Sequence, residues 1–307
     1  MLSQNSRNVL PLVGALFTLY IVWGSTYFVI RLGVESWPPL MMAGIRFLTA
    51  GILLFSFLAL RGHALPTPKQ WLAAGTIGIL LLAVGNGLVT VAEHQHVPSG
   101  IAAVMVATVP LFTLCFSLLW GMRNTRLEWA GIALGLVGIV LLNTGNNLVG
   151  NPTGALLILL ASASWAFGSV LGSRISLPVG PMAGAAEMLV AGAVLLVASR
   201  LSGEHLGQMP GAGGFFALGY LIIFGSMLAI SAYMFLLKNV RPAVATSYAY
   251  VNPVVAVLLG IGFAGESLAP REWMALVIIV AAVVLVTLGK YLFARPAGVR
   301  SVECEKR

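Results

Sequence analysis

Few side chains in this 307-residue sequence can do chemistry, and most of those that can interrupt long apolar runs. Arg46 and Glu187 are the ionisable residues set deepest in such runs. If a run spans a bilayer, a charge at its centre costs roughly 2.5–3.5 kcal/mol, so such residues default to functional candidates. Both lie about two turns from the end of their run, where snorkelling relieves part of that cost. We read them as groups beside two gates, Arg46 ordering the outer path and Glu187 being the candidate for proton coupling. Asn86, Thr90 and Glu93 recur at i, i+4 and i+7, a polar stripe on one helix face with Glu93 nearest the mouth, as a gating or coupling group. Tyr248 and Asn252 share a face at i, i+4 and offer a hydroxyl and an amide. Trp23, Tyr27 one turn further on, and Trp165 supply aromatic surface, and Ser226 and Tyr233 share a face seven residues apart. Together these residues suit a cavity for a small ligand with apolar or cationic parts.

Other chemistries find no support. Glu93, His94 and His96 stand close together, but three donors in one short loop read as a solvated or gating loop, so no metal site is assigned. Cys115 and Cys304 give neither a disulfide framework nor metal-ligand spacing. No phosphate-binding GxxxxGK[ST], dinucleotide fingerprint, HExxH or GxSxG occurs, so no catalytic residue, ATPase machinery or cofactor is expected. The +8 net charge comes from basic residues scattered singly at the ends of runs, which argues against nucleic acid as a partner.

The elements that must position these residues follow from composition. Hydrophobic residues make up 59% of the chain and charged residues 8%, with a mean hydropathy of +0.97. A soluble domain carries roughly 25% charged residues, so this chain belongs in a bilayer. Apolar runs fall near 10–31, 40–60, 71–91, 99–120, 127–144, 153–175, 181–199, 213–235, 243–263 and 272–290, each of helix length. The first follows a single Arg7 without a clear cleavage site and is read as a retained helix. Ten-residue alternation is missing, which excludes a barrel, so the expected class is an all-α integral membrane protein with ten transmembrane helices. With ten spans, thirteen of the seventeen Lys and Arg residues lie on the side of the termini and three opposite, so both termini are expected in the cytoplasm.

Depth and repetition add the rest. Trp23, Trp165, Pro110 and Asn252 lie about 13, 12, 11 and 9 residues into their runs, near the bilayer midplane. Pro110 and Pro253 are expected to break their helices and free carbonyls there. The segment 14–29 resembles 154–170, pairing Trp23 with Trp165, and 43–54 resembles 183–196, pairing Arg46 with Glu187. Residues 10–144 and 153–290 are therefore read as two five-helix repeats, followed by a basic cytoplasmic tail at 291–307. Five is odd, so the second repeat enters the membrane upside down, a 5+5 inverted repeat. Gly131, Gly135 and Gly138 give the fifth helix a small-residue face suited to close packing, within the chain or in a homodimer.

The stretches WGSTYFVIR (23–31), GIRFLTAG (44–51), VPSGIAAVMVATVPLF (97–112) and GESLAPREW (265–273) resemble the drug/metabolite transporter superfamily, specifically proteins with two EamA-type domains. The likeness covers nearly the whole chain and is strongest to inner-membrane transporters of enteric bacteria. It implies a cavity between the repeats, residence in the bacterial inner membrane and export of small metabolites or amino-acid-like compounds. One departure stands out: the second repeat has the Gly265-Glu266 turn, whereas the first has Gly121-Met122. The expected function is a secondary transporter, with export as the expected direction, moving such metabolites or amphipathic drugs by alternating access, with protons as a candidate coupling ion beside uncoupled transport. Uptake of the same substrates and an intramembrane lipid-modifying enzyme are the alternatives.

Overall fold

The computed structural model describes residues 3–97, 99–122, 125–143 and 152–264, with 270, 273, 274, 277, 278, 281, 282 and 285. Most of the run at 272–290, the Gly265-Glu266 turn and the tail at 291–307 lie outside the described residues. Within them every regular element is a helix. In order they are α1 (Ser3–Val34), α2 (Pro39–Leu60), α3 (Pro68–His94), a two-piece α4 (Ser99–Val106 and Val109–Leu119), α5 (Arg126–Asn143), α6 (Pro152–Gly172), α7 (Pro181–Leu201), α8 (Ala212–Asn239) and a two-piece α9 (Pro242–Ala245 and Tyr248–Ala264). Prolines open α2, α3, α6, α7 and the first piece of α9, at helix starts where the missing N–H is no loss.

Six of these helices, α1 from Leu10, α2, α3, α6, α7 and α8, are long and apolar enough to cross a membrane. Their outward faces are as apolar as their inward ones. On α1, Val13, Phe17, Ile21 and Phe28 are exposed while Leu19, Trp23, Tyr27 and Ile30 are buried. A helix that is apolar all round is what a lipid solvent selects.

The two interrupted helices differ in where they break. In α4 the turn falls at Ala107-Thr108, and Pro110 sits in the first turn of the second piece, as expected of a helix-breaking proline. In α9 the turn falls at Thr246-Ser247, and Pro253 lies inside a continuous helix, contrary to the expected break there. The reason is chemical. Thr108 Oγ1 donates to Met105 O at 2.7 Å, Thr246 Oγ1 to Pro242 O at 2.9 Å and Ser247 Oγ to Val244 O at 2.8 Å. Each of these carbonyls also accepts the backbone N–H of the same residue, so the hydroxyl adds a second donor that reinforces the turn.

α3 and α8 each contain a π-helical stretch, Ile79–Asn86 and Leu221–Leu228. The hydrogen-bond ladder is wider there, and π insertions of this kind often mark functional sites. Each stretch contains a glycine followed by a polar residue, Gly85-Asn86 at the end of the first and Gly225-Ser226 within the second.

α2 and α7 form the closest seam of the fold. A Cβ at Gly44 would lie 2.8 Å from the Leu196 side chain, one at Gly51 2.8 Å from Leu189 N, and one at Gly192 2.4 Å from Leu48 N. As the number rises along α2 it falls along α7, so the helices are antiparallel. Each of Gly51 and Gly192 meets the leucine three residues before its counterpart, a pairing that returns itself on exchange of the helices. α1 against α8 and α6 against α3 are also antiparallel pairs: Gly33 faces Ala217 and Trp23 meets Gly225, while Gly172 faces Ile77 and Gly168 faces Leu81. Gly135 of α5 packs against the Tyr250 ring, within the chain.

The loops gather at two ends. At one, Trp37 Nε1 donates to Gly214 O at 3.2 Å, and the Glu204 carboxylate accepts from Leu40 N (3.0 Å) and Met41 N (2.8 Å). At the far end of α8, Arg241 pairs with Glu128 at 2.9 Å. Glu128 Oε2 also accepts from Thr125 N at 2.7 Å, as expected of a carboxylate at the start of α5.

Candidate functional site

At mid-length of the long helices, Trp23 from α1 and Trp165 from α6 meet edge to face, their ring centroids 5.3 Å apart at 85°. Tyr248 from α9 stacks edgewise on Trp23 at 4.6 Å, and Tyr233 from α8 touches all three rings. Each indole N–H is satisfied: Trp23 Nε1 donates to Gly225 O at 3.1 Å, and Trp165 Nε1 to the Tyr233 hydroxyl at 3.1 Å. Tyr233 in turn meets Ser169 Oγ. Gly85 makes room for this box, since a Cβ there would lie 2.9 Å from the Trp165 ring.

Beside the box is a cavity of about 50 Å³. Trp23, Tyr27, Asn86, Trp165, Tyr248 and Asn252 all line it, so the structure brings these predicted residues together. Thr90 is not among them. It is buried, and its hydroxyl donates to Asn86 O at 3.0 Å one turn back along α3. A serine or threonine inside a helix has that carbonyl within reach, which turns it away from the cavity.

Arg46, read from its depth as a group of the outer path, lies in the cavity wall instead. It is 2% exposed and is the only charged residue among the described residues that line the cavity. Its Nε donates to Ser226 Oγ at 2.8 Å, Nη2 to Gly225 O at 3.1 Å and Nη1 to Asn86 Oδ1 at 3.4 Å. Its guanidinium carbon also sits 4.7 Å from the Phe47 ring centre. All three hydrogen-bond acceptors belong to π stretches. Gly225 is required there, because a Cβ would lie 3.0 Å from both Arg46 Nη2 and Thr26 Cγ2.

Glu93 and Glu187 lie outside the cavity. Both are buried, and neither carboxylate has a hydrogen-bond partner among the described residues. Glu93 borders a vestibule of about 450 Å³ at the loop end of α3, shared with Arg31, His94 and His96, and Tyr27 is its neighbour on the cavity side. His94 Nδ1 lies 3.3 Å from Val34 O. Glu187 packs against α3, where a Cβ on Gly78 would lie 2.4 Å from its carbonyl oxygen. Lys238 and Tyr233 are its ionisable neighbours. Among the described residues Arg46 and Glu187 make no ion pair.

Sequence reasoning missed Thr26 and Ser162, which both line the cavity. Thr26 Oγ1 donates to Trp23 O at 2.7 Å, whereas Ser162 Oγ is buried without a partner. The Asn252 amide is likewise buried and faces the Tyr27 hydroxyl without closing a hydrogen bond of good geometry. The available signal for the π stretches was a Gly-polar dipeptide in each of α3 and α8, Gly85-Asn86 and Gly225-Ser226.

Comparison with known proteins adds to this geometry. The chain is 70% identical over 291 residues to the uncharacterized inner membrane transporter YedA of Escherichia coli (strain K12), covering 94% of this chain and 95% of that one. Over 168 residues it is 28% identical to a probable amino-acid metabolite efflux pump of Salmonella typhimurium, covering 50% of this chain and 51% of the relative. A solved crystal structure, 20% identical, superimposes with a TM-score of 0.74 over 90% of this chain and 97% of that chain, which shows a shared fold. The sequence profile of the EamA-like transporter family matches residues 11–144 and 152–288. A multi-pass inner-membrane transporter, the chain belongs to the EamA-like transporter family.

Proposed function

We propose that this protein is a secondary carrier that exports small amphipathic metabolites from the cytoplasm by alternating access, and that it is not an enzyme. The observation that carries the reading is the cavity itself. Its walls come from both sequence-related halves: Trp23, Arg46 and Asn86 from the first, Trp165, Tyr248 and Asn252 from the second. A site at such a join is exposed to either side when one half tilts against the other. Its aromatic faces and few polar groups suit a small amphipathic solute. At about 50 Å³ the space holds no more than a few waters, so admitting a metabolite requires the walls to part.

The topology we propose is ten crossings, with the second five inverted and both termini in the cytoplasm. The self-returning seam of α2 and α7 supports it, because a two-fold axis relating antiparallel helices lies across them, in the membrane plane. Matching π stretches in α3 and α8 support it as well. The export direction draws on the printed name of the Salmonella relative.

The test is efflux from proteoliposomes loaded with amino acids, their derivatives and amphipathic drugs, with and without a pH gradient. Protein-dependent efflux of at least one solute class is expected. Were no solute to move while a lipid was modified, the enzyme would replace the carrier.

A further inference from the structure

We propose that the cavity is built for the carboxylate of an organic anion or zwitterion, that Arg46 is the group that holds it, and that organic cations are refused. This inference rests on the carrier reading above and narrows its substrate class.

The argument starts from charge. Arg46 is the one charged residue among the described residues that line the cavity, and it is 2% exposed. A guanidinium has five N–H donors. Those that bond here go to a hydroxyl, a backbone carbonyl and a side-chain amide, all of them neutral. The one ion pair among the described residues is Arg241 with Glu128, far from this point, so none of the described carboxylates balances Arg46. A buried cation held only by dipoles is solvated in part, and a partner anion completes its solvation. Arginine is also the side chain whose planar fork matches a carboxylate in two parallel hydrogen bonds.

The remaining polar atoms of the cavity fit the rest of such a ligand. Ser162 Oγ and both ends of the Asn252 amide are buried there without a hydrogen bond of good geometry among the described residues. They offer donors and one amide acceptor to a second polar group, such as an amino or amide function. The rings of Trp23, Trp165 and Tyr248 line the same cavity and offer faces to an apolar or aromatic body. Aromatic walls alone would also suit an organic cation. Arg46 decides against it, because a like charge brought into the same enclosed, low-dielectric space is repelled more strongly than ring faces attract it. Glu93 and Glu187, the carboxyls that could reverse this balance, do not line the cavity.

The full-length protein in proteoliposomes tests this with three probe sets: free amino acids as zwitterions, their N-acetyl derivatives as anions, and quaternary ammonium analogues of the same side chains as cations. Efflux of zwitterions, anions or both, with none of the cations, is the expected result for the wild-type protein and requires no variant. Arg46→Gln should lower carboxylate efflux about 10- to 100-fold, the range for losing a charge-assisted hydrogen bond, and Arg46→Lys should retain part of it. Cations moving as fast as carboxylates, or a folded Arg46→Gln protein that still exports carboxylates normally, would overturn the assignment and leave the carrier standing. If nothing in any set moves, the carrier reading falls and this inference with it.

Discussion

Replacing Gly192 by alanine should destabilise the protein, although alanine is the better helix former. A methyl at that position would lie 2.4 Å from Leu48 N and 2.7 Å from Leu48 Cα, where ordinary contacts begin near 3.4 Å. The atoms met are backbone, so no rotamer change relieves them, and α2 and α7 must move apart by about 1 Å. A gap of that size forfeits a quarter to a half of each contact well. In lipid such contacts are the main attraction between helices. Overpacking of this kind costs about 1–3 kcal/mol, and the alanine substitution returns about 1 kcal/mol of helix propensity. The net loss is at most about 2 kcal/mol, and it lies toward that end because the clashing backbone atoms cannot yield. Gly75→Ala is the control: its methyl would meet Val190 at 3.5 Å, an ordinary contact, so only the propensity gain remains. Thermal unfolding in detergent should place Gly192→Ala several degrees below wild type and Gly75→Ala at or above it. Adding Leu48→Ala should not rescue Gly192→Ala, because trimming that side chain leaves the clashing backbone in place. A Gly192→Ala protein as stable as wild type, or one restored by Leu48→Ala, would refute the seam as described.

Further outcomes follow from the same geometry. Tyr233→Phe removes the acceptor of the Trp165 N–H and a partner of Ser169, and should cost about 1–3 kcal/mol; adding Trp165→Phe should cost less than the sum of the two, read by the same unfolding assay. Glu204→Ala removes the carboxylate from the first amides of α2 and should cost about 1 kcal/mol, with faster amide hydrogen exchange at Leu40 and Met41. Glu187→Gln should export substrate down its gradient yet lose any response to an imposed pH gradient; an unchanged response would remove Glu187 from coupling.

Part of this was legible in the residues alone. Apolar runs of membrane length could be nothing but helices, because lipid offers the backbone no other hydrogen-bond partners. Trp23 and Trp165 at equal depth, and Tyr248 with Asn252 on one face, followed from a fixed rise and period, and the structure sets them around one cavity. Thr90 kept the right period and still missed, because its hydroxyl reached its own helix first. Period says which residues share a face, but helices apolar on every side do not say which face turns inward. Packing decided that. It drew Arg46 off the outer path and into the cavity wall by giving it Ser226, Gly225 and Asn86 as acceptors. Those acceptors lie where α3 and α8 widen into π turns, a backbone choice that no side-chain pattern dictates. The broken turn of α9 lies at Thr246-Ser247, where both hydroxyls bond back to carbonyls of the preceding turn, while Pro253 stays inside a continuous helix. Composition chose the solvent and the helices; only contact between helices chose where the charge would sit.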